Sequence, residues 1–520
     1  MVTGIELAIF IKRVEAICQE MGIVLRQAAF SPNIKDRLDF SCALFDHRGG
    51  LLAQAAHIPV HLGSMAFAMR DIVSSVAWHK GDVMALNDPY LGGTHLPDIT
   101  LISPLFVSDE SGTDELIGFV ANRAHHANVG AISPGSMPIS RTLDEEGVVI
   151  PPTLLWQAGA VNAEAHRKIT ELGGTDVTGD FAAQRSANRV GLDRLSELVA
   201  TIGKGEFVRG VEEINAYGRR LSGSVLAELP AGSYYFSDVM DDDGCGNHDL
   251  RIECHIEVSE QCIQVDFEGT APQASGNINC PLSVAAAAVF YAFRCLLPDH
   301  TPACAGTFQC VTISAPEGSL VNARRPAAVA AGNVETSMRI VDVVLGALAK
   351  AIPDVIPAAS QGTMNNVAMG NHRSNNPWDY YETIGGGCGA HPLGDGISAA
   401  QSHMTNTLNT PIESLEAHYP LRIKSYSIRR GSGGAGNNRG GDGLTREFEF
   451  LEPTEVTLLT ERRYHAPWGL AGGQPGLPGG NYLDGEPLPA KCQLSVKPGQ
   501  VLRIETPGGG GFGRTVMPAA

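Results

Sequence analysis

The chain has 520 residues, with 38 Lys and Arg against 56 Asp and Glu, a formal net charge of −18. That balance leaves no basic stripe for nucleic acid, and an apolar content of 43% excludes a disordered chain. Sixty glycines, against a usual share of about 7%, and only 18% charged residues point to several packed units with extensive buried or partner-facing surface.

Residues 5–29 predict a long helix, because Ile5, Ala8, Ile9, Val14, Ile17, Met21 and Val24 recur at three- and four-residue spacing. Lys12, Arg13, Glu15 and Glu20 interrupt this stretch, so it reads as neither a signal peptide nor a membrane span. Short strands follow at SCALFD, LLAQA, DVMALND, ITLISPLFV and LIGFVAN, each bounded by turn residues. Residues 160–225 return to helical periodicity, and 233–270 predict an antiparallel meander. The acidic run MDDDG at Met240–Gly244 reads as a solvated hairpin turn. Helices are predicted near 283–297 and 337–352, the first a buried alanine-rich core helix. From about residue 384 glycine-rich loops punctuate short strands such as REFEFL, EVTLLT and QVLRIET. Helix runs and sheet runs are segregated, so the expected class is α+β, multi-domain, with mixed and antiparallel sheets and packed helices. The composition shifts divide the chain into 1–225, 226–380 and a Gly-rich, β-rich 381–520.

The eleven cysteines are scattered, odd in number and without a CxxC pair, which fits reduced thiols and a cytoplasmic location. The sequence contains no HExxH, no GxSxG and no GxxxxGK[ST]. Gly431, Gly433 and Gly436 satisfy GxGxxG formally, but NNRGGDG after them cannot start a helix.

The strongest local signal is NDPYLGGTHLPDITL, which places His95 and Asp98 in an H-x-x-D turn between two strands. His125 and His126 are adjacent further on, Asp36 and Asp39 precede a strand, and His57 and His61 lie between. Imidazoles and carboxylates at strand ends suit a first-row divalent metal with an open position. Asp39, His95, Asp98 and one of the two adjacent histidines would complete four ligands. Each residue also has an ordinary reading, the aspartates as turn formers and the histidines as core residues. Glu335 begins a helix, where it caps the helix or forms a pocket wall.

Eight segments together resemble the hydantoinase B family: NIKDRLDFSCALFD, AQAAHIPVHLGSM, NDPYLGGTHLPDITLISP, RAHHANVGAISPGSMP, GNINCPLSVA, AAGNVETSMRIVD, ASQGTMNNV and RIETPGGGGFG. They occur in family order from the first helix to the last glycines. The resemblance implies a B subunit of an ATP-dependent cyclic amide hydrolase of the N-methylhydantoinase, 5-oxoprolinase or caprolactamase type. It implies a hydantoinase A-type partner, in a heterodimer or A2B2 assembly, that uses ATP to phosphorylate a lactam or cyclic imide. It places the ligands of a divalent metal on Asp39, His95, Asp98 and His125, with His126 as the alternative; such a mixed Asp/His set accepts Zn, Mn or Fe. His126 or Asp36 would handle the proton, with Glu335 a further pocket candidate. The related acetone carboxylases, a noncatalytic scaffold for the A subunit and a self-sufficient metallohydrolase are the competing expectations. No nucleic acid and no membrane partner is expected.

Overall fold

The computed structural model describes residues 4–55, 58–108, 111–170, 174–259, 262–374 and 376–515. His57 lies outside these residues. The chain opens with α1 (Gly4–Ala28) and the short α2 (Pro32–Lys35), then β1 (Phe40–Asp46) and β2 (Leu51–Ala55). Next comes α3 (Pro59–Ser74), which the sequence reading passed over. Its signal was Pro59 at the first turn followed by Met65, Met69 and Ile72 at helical spacing. β3 (Val83–Leu86), β4 (Asp98–Ser108), β5 (Asp114–His125), β6 (Thr153–Gln157) and β7 (Ala160–Val161) complete an antiparallel sheet of order β2-β1-β5-β4-β3-β6-β7.

Both faces of this sheet are covered, which is why its strands read as continuous apolar runs rather than alternating ones. On one face Phe40, Cys42, Leu44, Val120 and Ala124 meet Val14, Cys18 and Met21 of α1. α4 (Ala163–Thr170), α5 (Gly174–Ile202) and α6 (Lys204–Leu226) follow in sequence, and α5 packs along α1 on this side. On the other face Ala43, Phe45, Ile102, Phe119 and Ala121 meet Met65, Met69 and Ile72 of α3.

β8 (Gly232–Asp242), β9 (His248–Val258), β10 (Ile263–Asp266) and β11 (Val311–Ser314) form a second sheet of order β11-β10-β9-β8. The predicted meander is present as β8–β10, and β11 joins it in parallel with β10. α7 (Leu282–Arg294) and α8 (Ser337–Ala351) bury against it, and the alanine-rich α7 is a core helix. The hairpin at Met240–Gly244 exists, but the expectation that its acids are solvated is wrong. Asp241 and Asp243 are buried: Asp241 accepts the backbone N–H groups of Arg463, Tyr464 and His465, and Asp243 those of Cys245, Asn247 and Gly276. A carboxylate given three N–H donors stays buried because they replace its hydration.

The region from 366 to 505 carries two further antiparallel sheets, of four and five strands, which share one apolar core containing Phe448, Phe450, Leu458 and Ile504. This mixture of segregated helices and sheets is an α+β fold. The glycine loops lie against it as ordered structure. Residues 508–511 run through the middle, their amides donating to the carbonyls of Leu477, Gly441, Ala359 and Gln474 in turn. All eleven cysteines are free thiols. Among the described residues no helix is long and apolar enough to cross a membrane.

Candidate metal centre

Strand register builds the site. Asp98 opens β4 opposite His125, which ends β5, and Phe40 of β1 pairs with Ala124. The His125 N–H then donates to the carbonyl of Asp39, 3.0 Å away, so Asp39, Asp98 and His125 meet at one end of three adjacent strands. His95 joins them from the turn before β4. Asn87 fixes that turn, its amide donating to the carbonyls of Leu96 and Val148 and its Oδ1 accepting from Ile150 N.

His95 Nε2 and His125 Nδ1 each lie 3.2 Å from Asp98 Oδ1. Asp39 Oδ2 stands 4.0 Å from His125 Nδ1. Ligand atoms of His95, Asp98 and His125 all fall within 4.8 Å of one another, as do those of Asp39, His61 and Asp98. His95 Nε2 and Asp98 Oδ1 are buried and have no hydrogen-bond partner. His95 Nδ1 faces the carbonyl of Ala330 at 3.3 Å and donates to it, which directs Nε2 at the carboxylate. In the neutral ring two lone pairs then face each other in a dry site, and they repel unless a cation, a proton or a metal ion, lies between them. The donor set therefore fits a divalent metal.

Burial alone would raise the Asp98 carboxyl, but His95 and His61 beside it hold it well below the usual carboxylate range. Burial works against a charge on His95, yet Asp98, with Asp39 behind it, lifts that imidazole above its ordinary value. On His125 burial wins and the imidazole is lowered, toward the neutral form that a ligand needs.

The structure brings Asp39, His95, Asp98 and His125 together and separates the other expected residues. His126, the residue just past the end of β5, turns to the opposite side, where it packs on Phe181 and pairs with Gln184 Oε1 at 3.0 Å. Asp36 caps the end of α2 and does not line the enclosure. Glu335 lies one layer behind, where its Oε1 accepts from Met364 N and Asn366 Nδ2. None of His126, Asp36 and Glu335 is among the residues that line the enclosure.

Sequence reasoning missed several supports. His61, on the first turn of α3, reaches Asp98 Oδ2 through Nε2 at 3.3 Å and Ser41 Oγ through Nδ1 at 3.1 Å. Thr94 donates to the same Asp98 oxygen. Tyr381 stacks on His125, with ring centroids 5.0 Å apart, and donates to Asn366 Oδ1. Arg37 approaches Asp39 at 4.0 Å and ties it to Thr383 and Thr407. The space enclosed is about 20 Å³, lined also by Ile58, Val60, Asn333, Met364 and Met404, and admits one ion or one water.

Glu335 makes a testable contribution to stability. Burial pushes its carboxyl up from 4.5 to about 8. The folded chain therefore holds a proton that the unfolded chain releases, and stability falls as pH rises from about 4.5 through 8. The Glu335 Oε2 atom has no hydrogen-bond partner, so Glu335→Gln keeps the useful oxygen and removes the titration. Its melting temperature should match the wild type near pH 5 and exceed it by several degrees at pH 8. Identical melting curves at both pH values would exclude this role.

Residues 3–515 match the model of the family described as Hydantoinase B/oxoprolinase. The chain is 41% identical over 509 residues to an uncharacterized protein of Methanocaldococcus jannaschii, covering 96% of this chain and 88% of that one. It is 39% identical over 555 residues to 5-oxoprolinase 1 of Arabidopsis thaliana, covering 98% of this chain but 42% of that protein. It thus spans about two fifths of the length of the 5-oxoprolinases it matches. Among solved structures, the ATP-dependent caprolactamase from Pseudomonas jessenii superposes with a TM-score of 0.91 at 28% identity, covering 99% of this chain and 92% of that one.

Proposed function

Because the chain belongs to the hydantoinase B/oxoprolinase family, we propose that it is the metal-holding, hydrolytic component of an ATP-dependent enzyme that opens a small cyclic amide. An A-type partner would supply the nucleotide site. Two observations support that division: this sequence has no Walker motif, and the chain spans 42% of a 5-oxoprolinase. The γ-phosphoryl of ATP moves to the lactam oxygen with loss of ADP. Water then adds to the former carbonyl carbon, and the ring C–N bond breaks as nitrogen takes a proton. A second water releases phosphate from the acyl phosphate.

The observation that carries this reading is the buried, unpartnered pair of His95 Nε2 and Asp98 Oδ1 at the junction of three strands. His95, Asp98 and His125 would hold the ion, with Asp39 completing the set. A bound Zn, Mn or Fe ion would supply Lewis acidity there. His61 and Thr94 orient Asp98 through its other oxygen, Tyr381 fixes the plane of His125, and Arg37 holds Asp39 at the rim.

The test is co-expression with an A-type subunit, followed by a screen of 5-oxoproline, hydantoin, N-methylhydantoin and caprolactam. Ring opening with ADP release is expected only when both chains and ATP are present, together with stoichiometric metal on this chain. Ring opening by this chain alone without ATP would overturn the reading. A purified chain without metal would leave a scaffold role instead.

A further inference from the structure

His95 is held from behind by main chain, and that main chain is held in turn by a carboxyl group outside the enclosure. Ala330 O accepts from His95 Nδ1 at 3.3 Å. The same peptide unit is tied at its other end, where Ala331 N donates to Asn277 O at 3.0 Å. The two preceding amides, Val329 N and Ala330 N, both donate to Glu146 Oε1, each at 2.8 Å. Ser140 Oγ donates to that oxygen as well, also at 2.8 Å. One oxygen of Glu146 therefore fixes two successive peptide planes, and the carbonyl that follows them points at His95.

Glu146 reaches this segment from a loop that runs beside it. Thr142 bridges to Ala327, Leu143 N donates to Pro326 O at 2.9 Å, and a single 3₁₀ turn at Leu143–Glu145 brings Glu146 inward. Ser140, Glu146, Val329 and Ala330 are all fully buried. Three donors converge on Oε1, while Oε2 is buried with no hydrogen-bond partner. Burial pushes the carboxyl up to about 7. What the segment takes from Glu146 is thus one acceptor at one place, and not its charge.

The direction of Ala330 O matters because a neutral imidazole offers one lone pair. The Nδ1–H···O bond puts that lone pair on Nε2 and sets the plane of the ring. We infer that Glu146 is a positioning residue of the metal centre: through the Val329 and Ala330 amides it aims the Ala330 carbonyl at His95 Nδ1, and so holds His95 Nε2 toward the ion. The inference rests on the proposed hydrolytic reading and extends its centre to a residue that does not line the enclosure.

Glu146→Gln and Glu146→Asp separate position from charge. Gln keeps an oxygen at full reach without the charge, whereas Asp keeps the charge and draws the oxygen back by one methylene. Cobalt affinity of the full chain is measured by competition with a chelator, and folding by melting temperature. Glu146→Gln binds cobalt within about threefold of the wild type, and Glu146→Asp and Glu146→Ala bind it about ten- to a hundredfold more weakly. Proton NMR of the cobalt-loaded chain gives a second reading, because the ion displaces the exchangeable ring N–H signals of its histidines. In Glu146→Asp one of these signals moves and exchanges faster with D₂O, and in Glu146→Gln it does not. Ile504→Ala, in the apolar core of the C-terminal sheets, lowers the melting temperature but leaves cobalt affinity and these signals unchanged. The Gln and Asp variants decide the matter even where Glu146→Ala yields no folded chain. Wild-type cobalt affinity in Glu146→Asp overturns the positioning role and leaves the hydrolytic reading standing. Equal losses in Glu146→Gln and Glu146→Asp overturn it too, because the charge and not the position would then count. A wild type that takes up no metal fails the hydrolytic reading, and the positioning role falls with it, since His95 would have no ion to hold.

Discussion

Asp98→Asn should empty the metal centre and lower ATP-dependent ring opening by on the order of 10³-fold, while the chain stays folded. Asp98 is the hub of the site. One oxygen faces His95 and His125 at 3.2 Å each, and the other accepts from His61 and Thr94. Asparagine has the same shape and can keep the His61 and Thr94 contacts through its remaining oxygen. Its NH₂ then points at His95 and His125, where a cation needs a lone pair. The substitution also removes the charge that lifts His95 above its ordinary value. The fold should tolerate this, because a buried carboxylate is replaced by a neutral group of equal volume. Elemental analysis, melting temperature and kcat check the three parts. Wild-type metal stoichiometry in Asp98→Asn would sink the assignment of the centre.

Gly509→Ala should destabilise the protein by about 4 kcal/mol or more, enough to leave little soluble chain. The four glycines 508–511 each touch a different backbone. An added Cβ would lie 2.0 Å from Ser432 O at Gly508, 2.0 Å from Cys388 O at Gly509, 2.0 Å from Trp468 O at Gly510 and 2.3 Å from Ala435 O at Gly511. These are close approaches to main chain that is itself hydrogen-bonded, so no side chain can move aside. The amide of Gly509 donates to Gly441 O at 2.9 Å, and any shift to relieve the clash breaks that bond. Gly205→Ala is the control, because a Cβ there meets nothing within 4 Å and the residue lies in the first turn of α6. That variant should be neutral or slightly stabilised. Equilibrium urea unfolding of both variants separates the cases, and a Gly509→Ala midpoint matching the wild type would contradict the close-packed backbone.

The elements that local pattern specifies were legible. α1, β1, β2, β4 and β5 fall within a few residues of the apolar runs that predicted them, because each buries a long continuous surface. The motif H-x-x-D was legible as a metal-type signal because its two residues are close in sequence. The choice between His125 and His126 was not, since it depends on the side to which each turns at the end of β5. That in turn follows from Asp98 pairing with His125 across a hairpin whose turn length does not fix the register. His61 was visible as a residue but not as a support, because its role requires α3 to be recognised as a helix. The buried Asp241 and Asp243 read as solvated because the Arg463–His465 amides that satisfy Asp241 come more than 200 residues later.

The glycine filament also bears on how the chain is made. Residues 508–511 leave the ribosome after Cys388, Ser432, Ala435 and Trp468, against which they pack. Cys388 emerges roughly 120 residues before Gly509, a wait of about 6–24 s at ~5–20 residues per second. Once made, the carbonyls of Gly441 and Gln474 lack the amides that will occupy them until Gly509 and Gly511 emerge. Translation to residue 506 therefore yields a nascent chain with open main-chain grooves, which invite chaperone binding or pairing with another chain. Released chains ending at 506 and at 515 should differ sharply in protease resistance across 385–475, although they differ by only nine residues.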